Sequence, residues 1–260
     1  MRLLPGVDSP LKDFPPRQID LSIIRENNEG EYSEIGGRLY DNTDAELAVL
    51  ECVLTRPGCD RIMRCAFELA QTRRGHVTSA TKSNGIIHTM PFWDERFALT
   101  SQVFPDIRTD QYHIDILSAH FVRNRDWFDV VVASNLFGDI LSDLAAAVVG
   151  SIGLAPSANL NPERQFPSMF EPVQGSAPDI AGKGIANPIA QVWSGALMLQ
   201  HLGEAQAAQA VEVALESVLA TSDVCTPDLG GKATTHEVGD AVAQQISATT
   251  VERPQFRIQG

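Results

Sequence analysis

Short apolar, β-rich runs alternate along the chain with longer segments of helical periodicity. Three such runs, at residues 21–27, 76–80 and 128–134, are rich in β-branched side chains and end at polar positions. Strands buried within a sheet show this pattern. The alternation of strands with helices predicts an α/β fold with a partly parallel sheet.

The helical segments are recognised by apolar side chains that recur on one face. Within residues 59–73, one stripe of this kind is formed by Ile62, Met63, Ala66, Phe67 and Ala70. Further helices are predicted at residues 139–149, 189–202 and 204–220, and Gly203 separates the last two as a helix stop.

Residues 151–187 interrupt this pattern with many glycines and prolines, too many for a long regular element. A long Gly/Pro-rich loop inside a compact domain is usually functional. We therefore predict two domains, covering residues 1–149 and 150–260, with the chain crossing between them near the start of this loop.

Composition narrows the class of protein. The 260 residues are 43% hydrophobic and 20% charged, which is typical of a globular protein, and the net charge is −13. So acidic a chain argues against nucleic acid or an anionic membrane as the main partner. The four cysteines show no metal-type spacing, and no apolar run is long enough to span a bilayer, so a cytoplasmic location is expected.

The sharpest candidate for chemistry is the sequence NLFGDILSDL, which contains Asp139 and Asp143. Residues four apart on a helix share one face, so the two carboxylates could bind a hard divalent cation such as Mg²⁺ or Mn²⁺. The alternative is structural, with Asp139 capping the start of the helix and Asp143 complementing its dipole.

Three further polar residues stand out. Asp115 is a lone acid in an apolar run, so it is paired, protonated or metal-bound if buried, or else it lies on the exposed face of a helix. Lys82 and Asn84 follow a predicted strand, where α/β proteins gather their ligands, although a solvated loop lysine is the simpler interpretation.

Two more candidates lie in the sequence RENNEGEYSEIGGR. Arg25 at a strand end can hold a carboxylate in a forked pair, and Tyr32 can serve as a general acid. The pair Gly36–Gly37 suggests a turn between two short strands.

The order and spacing of five motifs carry more information than any one of them. These motifs are RENNEGEY, TKSNG, HIDIL, NLFGDILSDL and EPVQGSAPDIAGKGIANP. Together they resemble the β-decarboxylating dehydrogenases, the isocitrate/isopropylmalate dehydrogenase family, and most of all its tartrate/D-malate branch. The resemblance covers nearly the whole chain and implies an isopropylmalate dehydrogenase-like two-domain fold.

The resemblance implies a role for each matching position. Asp115, Asp139 and Asp143 become divalent-metal ligands, Tyr32 and Lys82 the acid–base pair, and Arg25 a clamp for a substrate carboxylate. The implied reaction is NAD-dependent oxidation of a malate- or tartrate-like 2-hydroxy acid, with possible decarboxylation and possible use of K⁺. Lys82 and Asp115 would reach into the neighbouring subunit, so the resemblance implies a homodimer clasped partly by residues 35–40.

The glycine-rich loop at residues 175–187 is implied to hold the adenosine side of NAD. Asp179 would accept hydrogen bonds from the ribose hydroxyls and disfavour the 2′-phosphate of NADP. Asn84 is expected near the nicotinamide. Where the family usually has histidine, this chain has Gln174, which is expected to weaken NAD binding without abolishing it. The other positions implied to contact the cofactor are Gly175, Ser176, Ala177 and Asn187.

Family members carry an α/β segment ahead of the stretch that matches RLLPGV, whereas Met1 stands almost directly before it here. The N-terminal part of the cofactor domain, with two substrate arginines, is therefore expected to be absent. One rival hypothesis is accordingly a non-catalytic homologue that retains dimerisation and metal binding. Another is a metal-dependent lyase that uses the three aspartates without nicotinamide.

Overall fold

A computed structural model describes residues 1–11, 18–221 and 224–248. These residues form two compact units. The N-terminal unit contains residues 1–2 and 18–148, and the C-terminal unit contains residues 3–11, 149–221 and 224–248. In the part of the chain described, no helix has the length and hydropathy needed to cross a membrane.

The N-terminal unit alternates strands and helices. Its elements in chain order are β1 (Ser22–Arg25), β2 (Gly36–Leu39), β3 (Leu47–Leu50), α1 (Arg56–Gln71), β4 (His76–Thr81), α2 (Thr89–Ser101), β5 (Arg108–His113), α3 (Ile114–Arg123), β6 (Val130–Ala133) and α4 (Asn135–Val148).

The main sheet of this unit has the strand order β1-β6-β4-β5, and every neighbouring pair is parallel. All residues of the central strands β4 and β6 are buried, as their continuous apolar and β-branched runs predict. The three predicted strands and the α/β fold are thereby confirmed.

Helix α1 packs its predicted apolar stripe into the core. Met63, Ala66, Phe67 and Ala70 are fully buried. The helix starts three residues earlier than predicted because Thr55 caps it, its side chain accepting a hydrogen bond from Gly58 N at 3.2 Å.

Strands β2 and β3 form an isolated antiparallel hairpin, in which Gly36 pairs with Leu50 and Gly37 with Val49. The prediction of a turn at Gly36–Gly37 is wrong, because both residues lie within β2. Gly36 is required for a different reason. A Cβ atom there would lie 2.1 Å from the carbonyl oxygen of Val49, so only glycine allows the strands to approach.

Helix α4 begins at Asn135, four residues before the predicted start. Asp139 therefore lies one turn inside the helix and cannot be its N-cap, so the structural alternative for this residue is wrong. Its spacing of four from Asp143 remains, and both residues lie on one helix as predicted.

The C-terminal unit contains a short antiparallel strand pair and three helices among its described residues. Its elements are β7 (Pro156–Asn159), β8 (Met169–Pro172), α5 (Ile189–His201), α6 (Ala205–Thr221) and α7 (Thr235–Ala248). Leu3, Leu4 and Val7 are buried in this unit, where Gly6 packs against the backbone of Leu219. Residues 3–11 thus lie in the C-terminal unit, whereas the sequence-based prediction grouped them with the rest of residues 1–149.

Candidate functional site

The polar residues predicted to act in the reaction gather at the carboxyl ends of the four parallel strands. Arg25 ends β1, Lys82 directly follows β4, and Asp115 lies in the first turn of α3 after β5. Asp139 lies on α4, which follows β6. Because β1 neighbours β6 and β4 neighbours β5, the strand order sorts these residues into two pairs.

The first pair belongs to what we call the Arg25 cluster, consisting of Arg25, Tyr32, Asn135, Asp139 and Asp143. The Tyr32 hydroxyl donates a hydrogen bond to Asp139 Oδ2 at 3.0 Å, and Arg25 Nη1 binds Asp139 Oδ1. The guanidinium is fixed from its other side by Asn135 Oδ1, which accepts from Nε at 2.9 Å and from Nη2 at 2.7 Å. This cluster is assembled within one chain.

Helix α4 can approach Arg25 because residue 138 is a glycine. A Cβ atom on Gly138 would lie 2.6 Å from Arg25 Cγ, well inside van der Waals contact. The glycine of NLFGDIL therefore lets the arginine stem lie against the helix and brings its guanidinium to Asp139.

Electrostatics in the Arg25 cluster follow from these contacts. The hydrogen bond to Asp139 raises the pKa of Tyr32 above its usual value, so the phenol stays protonated at neutral pH. Burial, and then the negative charge of Asp139, raise the pKa of Asp143. Among the described residues, Asp143 has no hydrogen-bond or ion-pair partner, so the cluster carries a carboxylate available to a cation.

The second pair consists of Lys82 and Asp115. Lys82 Nζ donates to Asp115 Oδ1 at 2.8 Å, and the Asp115 side chain is 67% exposed. The hydrogen bond from Lys82 lowers the pKa of Asp115. Asp115 thus faces solvent, whereas Lys82 is partly buried to the same degree as Arg25, with side chains 30% and 28% exposed.

The aspartates fit a hard divalent cation by their chemistry, since Mg²⁺ and Mn²⁺ prefer carboxylate oxygens. Within a single chain, however, the described residues contain no group of three His, Cys, Asp or Glu side chains that could hold a metal ion. Asp139 and Asp143 can contribute two ligands, and a third ligand would have to come from elsewhere.

The C-terminal unit contains a pocket of about 400 Å³, within the range of small-molecule sites. Its walls are formed by Gln174, Gly175, Ser176, Ala177, Ile180, Ala181, Gly182, Gly184, Ala186, Thr235 and His236. Gly175, Gly182 and Gly184 adopt positive φ and have open space where a Cβ atom would stand. Four of the residues predicted to contact the cofactor, Gln174, Gly175, Ser176 and Ala177, therefore line this pocket.

Three residues predicted to contact the cofactor lie outside the walls of this pocket. Asp179 is exposed on the same loop. Asn187 is buried, its amide donating to Asp228 Oδ2 at 3.0 Å and accepting from Ile189 N at 3.0 Å. Asn84 is an exposed residue of the N-terminal unit.

Sequence reasoning gave no role to several residues that shape these sites. Asn135 and Glu31 lie inside quoted motifs, but their contacts join positions about a hundred residues apart. Thr235 ties α7 to the pocket loop by donating from its backbone N to Gly184 O at 2.8 Å. Position within a motif could have drawn attention to the first two residues, whereas no local signal points to Thr235 and His236.

Comparison with known proteins agrees with this geometry. The family model described as "Isocitrate/isopropylmalate dehydrogenase" matches residues 3–242. The chain belongs to the isocitrate/isopropylmalate dehydrogenase family. It is 56% identical over 252 residues to D-malate dehydrogenase [decarboxylating] of Escherichia coli (strain K12), covering 95% of this chain and 70% of that protein.

A second relative of this dehydrogenase family is tartrate dehydrogenase/decarboxylase of Pseudomonas putida, 53% identical over 254 residues, with 95% of this chain and 69% of that protein covered. The crystal structure of isocitrate dehydrogenase from Methylococcus capsulatus superposes with a TM-score of 0.85 at 37% identity, covering 94% of this chain and 70% of that one. The predicted family and its tartrate/D-malate branch are thereby confirmed.

Proposed function

We propose that the chain oxidises a malate- or tartrate-like 2-hydroxy acid, with NAD as hydride acceptor, a Mg²⁺ or Mn²⁺ ion, K⁺ as an additional cation, and loss of the β-carboxylate where the substrate allows it. The observation that carries this proposal is the division of the reactive residues into two sets at neighbouring strand ends, the Arg25 cluster and the Lys82–Asp115 pair. Relatives named for D-malate and tartrate support the choice of substrate.

In this proposal Asp139 and Asp143 of one subunit and Asp115 of the other hold the divalent ion. When bound, such an ion acidifies a hydroxyl group and polarises a carbonyl group. Arg25 orients the substrate by pairing with one of its carboxylates. Its guanidinium is already oriented by Asn135, so little conformational entropy is lost when the substrate binds.

Two residues move the protons. In its neutral form, Lys82 Nζ of the neighbouring subunit would accept the proton of the 2-hydroxyl, and NAD held by the pocket at residues 174–186 would supply the hydride acceptor. Tyr32 donates its hydroxyl proton to the carbon that loses its carboxylate. Its hydrogen bond to Asp139 keeps that proton in place at neutral pH, since the contact raises the pKa of Tyr32.

The homodimer of this proposal is supported by exposed apolar surface. The β2–β3 hairpin has every residue exposed, and Tyr40 and Leu50 are 66% and 65% exposed. A two-stranded hairpin without packing is marginally stable in water, so it needs a covering surface. Ile116 and Ile140 are also exposed, on the helices that carry Asp115 and Asp139. A second copy that covers these helices would complete the metal site.

The NAD assignment is supported by the pocket at residues 174–186, whose glycine-rich wall suits a nucleotide. Gln174 lines this pocket, and its amide donates to the carbonyl oxygen of Asn187 at 3.4 Å. Asp179 is proposed to bind the ribose hydroxyls, which favours NAD over NADP. The cysteines of the described residues form no disulfide bonds, in keeping with the proposed cytoplasmic location.

The decisive assay supplies D-malate or tartrate with Mn²⁺, K⁺ and NAD to the purified chain and follows NADH absorbance. The proposal expects NADH formation that is abolished by Lys82→Met, and steady-state turnover that is slowed by Tyr32→Phe because its proton is needed after decarboxylation. A folded dimer that binds Mn²⁺ but forms no NADH would favour the non-catalytic homologue. A redox-neutral product formed without nicotinamide, such as lactate and CO2 from malate, would favour the lyase.

A further inference from the structure

Two glutamates in the motif RENNEGEY reach from one loop to the starts of two different helices. Glu29 accepts hydrogen bonds from Thr55 N at 2.7 Å and Thr55 Oγ1 at 2.5 Å, at the start of α1. Glu31 accepts from Ser134 Oγ at 2.7 Å and from Leu136 N at 3.0 Å, at the start of α4. The first-turn amides of a helix have no partner within the helix, so Glu31 supplies one.

The contact made by Glu31 has a consequence for its neighbour. Tyr32 follows it directly and donates to Asp139, which lies one turn further along the same helix α4. The loop is thus attached to α4 at two points, once by a carboxylate cap and once by the tyrosine hydroxyl. Tyr32 is 53% exposed, so packing alone does not fix its ring.

The backbone of this loop is also held close to α4. Asn135 Nδ2 donates to Glu29 O at 3.2 Å, and Gly30 is buried with φ +105°. A Cβ atom on Gly30 would lie 3.4 Å from the Asn135 Cβ. The chain therefore turns against the helix at Gly30 and presents Glu31 to the first turn of α4.

We propose that Glu31 is a positioning residue, which sets the Tyr32 hydroxyl against Asp139 by capping the helix that carries Asp139. Its value for catalysis rests on the proposed function, in which Tyr32 is the proton donor. Arg25 is held by Asn135 and not by Glu31. Loss of Glu31 removes no direct contact to the substrate clamp, and Asn135 remains tied to Glu29 O, so the proton donor is expected to be disturbed more than the clamp.

The chain offers a direct readout of this positioning. It contains three tyrosines, at positions 32, 40 and 112, so a sample labelled with ¹³C at tyrosine Cζ gives three NMR signals, and Tyr32→Phe assigns one of them. At pH 7.5, Glu31→Ala is expected to move the Tyr32 signal toward that of a solvated tyrosine. Glu31→Gln, which keeps an acceptor for the Leu136 amide, is expected to retain most of the wild-type shift.

Glu29→Ala is the matched control. It removes a glutamate of the same loop that binds the start of α1, and it leaves the contacts of Glu31 with the start of α4 in place. It is expected to leave the Tyr32 signal unchanged. An unmoved Tyr32 signal in Glu31→Ala would overturn the inference. Equal movement in Glu29→Ala would overturn it too, since it would show general loosening of the loop.

Turnover gives a second, separable readout. Glu31→Ala is expected to lower kcat by about tenfold or more, part of what a general acid contributes, while KM for the hydroxy acid changes less than about twofold. Glu31→Gln should recover most of the lost kcat. A rise in KM with unchanged kcat would contradict the inference. If the wild-type chain forms no NADH, the proposed function fails, and the Tyr32 signal alone decides the role of Glu31.

Discussion

At the amino ends of strands β1, β4 and β6, acidic and basic side chains pair almost completely. The buried carboxylate of Asp129 accepts hydrogen bonds from Arg73 Nε at 2.7 Å and from Arg74 N at 2.8 Å. Arg73 also binds Asp20 Oδ1 at 3.0 Å, so one guanidinium joins the starts of β1 and β6. This end of the sheet is a closed ion-pair network.

The carboxyl ends of the same strands carry similar residue types but leave charge unbalanced. Asp139 has Arg25 as a partner, whereas Asp143 has none among the described residues, and burial beside Asp139 raises its pKa. Unbalanced charge costs stability, and we propose that a ligand completes this end of the sheet. The two ends thus differ in charge balance, and this difference supports the proposed division into a structural and a functional cluster.

Breaking the network at the amino ends should have the largest effect on stability. Arg73→Met keeps the apolar stem and removes the guanidinium, leaving the buried Asp129 with Arg74 alone. The free energy of unfolding, measured by urea denaturation, is expected to fall by about 2–3 kcal/mol. Arg56→Met, which removes an exposed pair with Asp60, serves as control and should leave the free energy of unfolding nearly unchanged. A fall for Arg73→Met no larger than the control would refute the prediction.

At the carboxyl ends of the strands, removing a charge is expected to leave the stability nearly unchanged and to weaken metal binding. Asp143→Asn removes repulsion from Asp139, so stability should stay within about 0.5 kcal/mol of wild type or rise slightly. Mn²⁺ affinity, followed by electron paramagnetic resonance, should fall about tenfold or more because a ligand is lost. A stability loss like that of Arg73→Met, with Mn²⁺ binding intact, would make Asp143 a structural residue.

The smallest expected effect is on the free energy of unfolding at acid pH, to which Asp20 at the amino ends of the strands contributes. Burial alone would raise the pKa of Asp20, but the hydrogen bond and charge of Arg73, helped by Arg2, lower it overall. A carboxyl whose folded pKa is lowered stabilises the fold above its unfolded pKa near 3.8, and this is lost as pH falls through the folded value.

Asp20→Asn should therefore flatten the decline in unfolding free energy below about pH 4. The difference should be below about 1 kcal/mol, because Asp20 is partly exposed and solvent screens it. If the unfolding free energy of this variant declines with falling pH as steeply as that of the wild type, the charge of Asp20 adds nothing to the stability of the network.

The sequence predicted those features of the fold that depend on interactions between residues close together in the chain. The apolar runs that became β4 and β6 and the stripe of α1 were recognisable because burial imposes a local period. Strand β5 was missed because RTDQYH is polar and only half buried. Helix α7 was missed because Val238 and Val242 are its only residues classed as buried.

For the candidate site, too, local sequence predicted where single residues lie but not which residues contact each other. Arg25 and Lys82 were predicted at strand ends from local sequence alone. That Arg25 meets Asp139 while Lys82 meets Asp115 depends on the strand order β1-β6-β4-β5, which no local pattern encodes. The cap that Glu31 provides to α4 is long-range too, and it could not be read from RENNEGEY.

The central claim, that two subunits share each metal site, has a direct test in mixed dimers. Asp115→Asn and Asp139→Asn chains are co-expressed with different tags, and the mixed dimer is purified and titrated with Mn²⁺. Each parent dimer lacks a ligand at both sites, whereas the mixed dimer has one complete site and one that lacks both ligands. We expect one tight Mn²⁺ site per mixed dimer and none in either parent. A mixed dimer that binds Mn²⁺ no better than its parents would contradict the account.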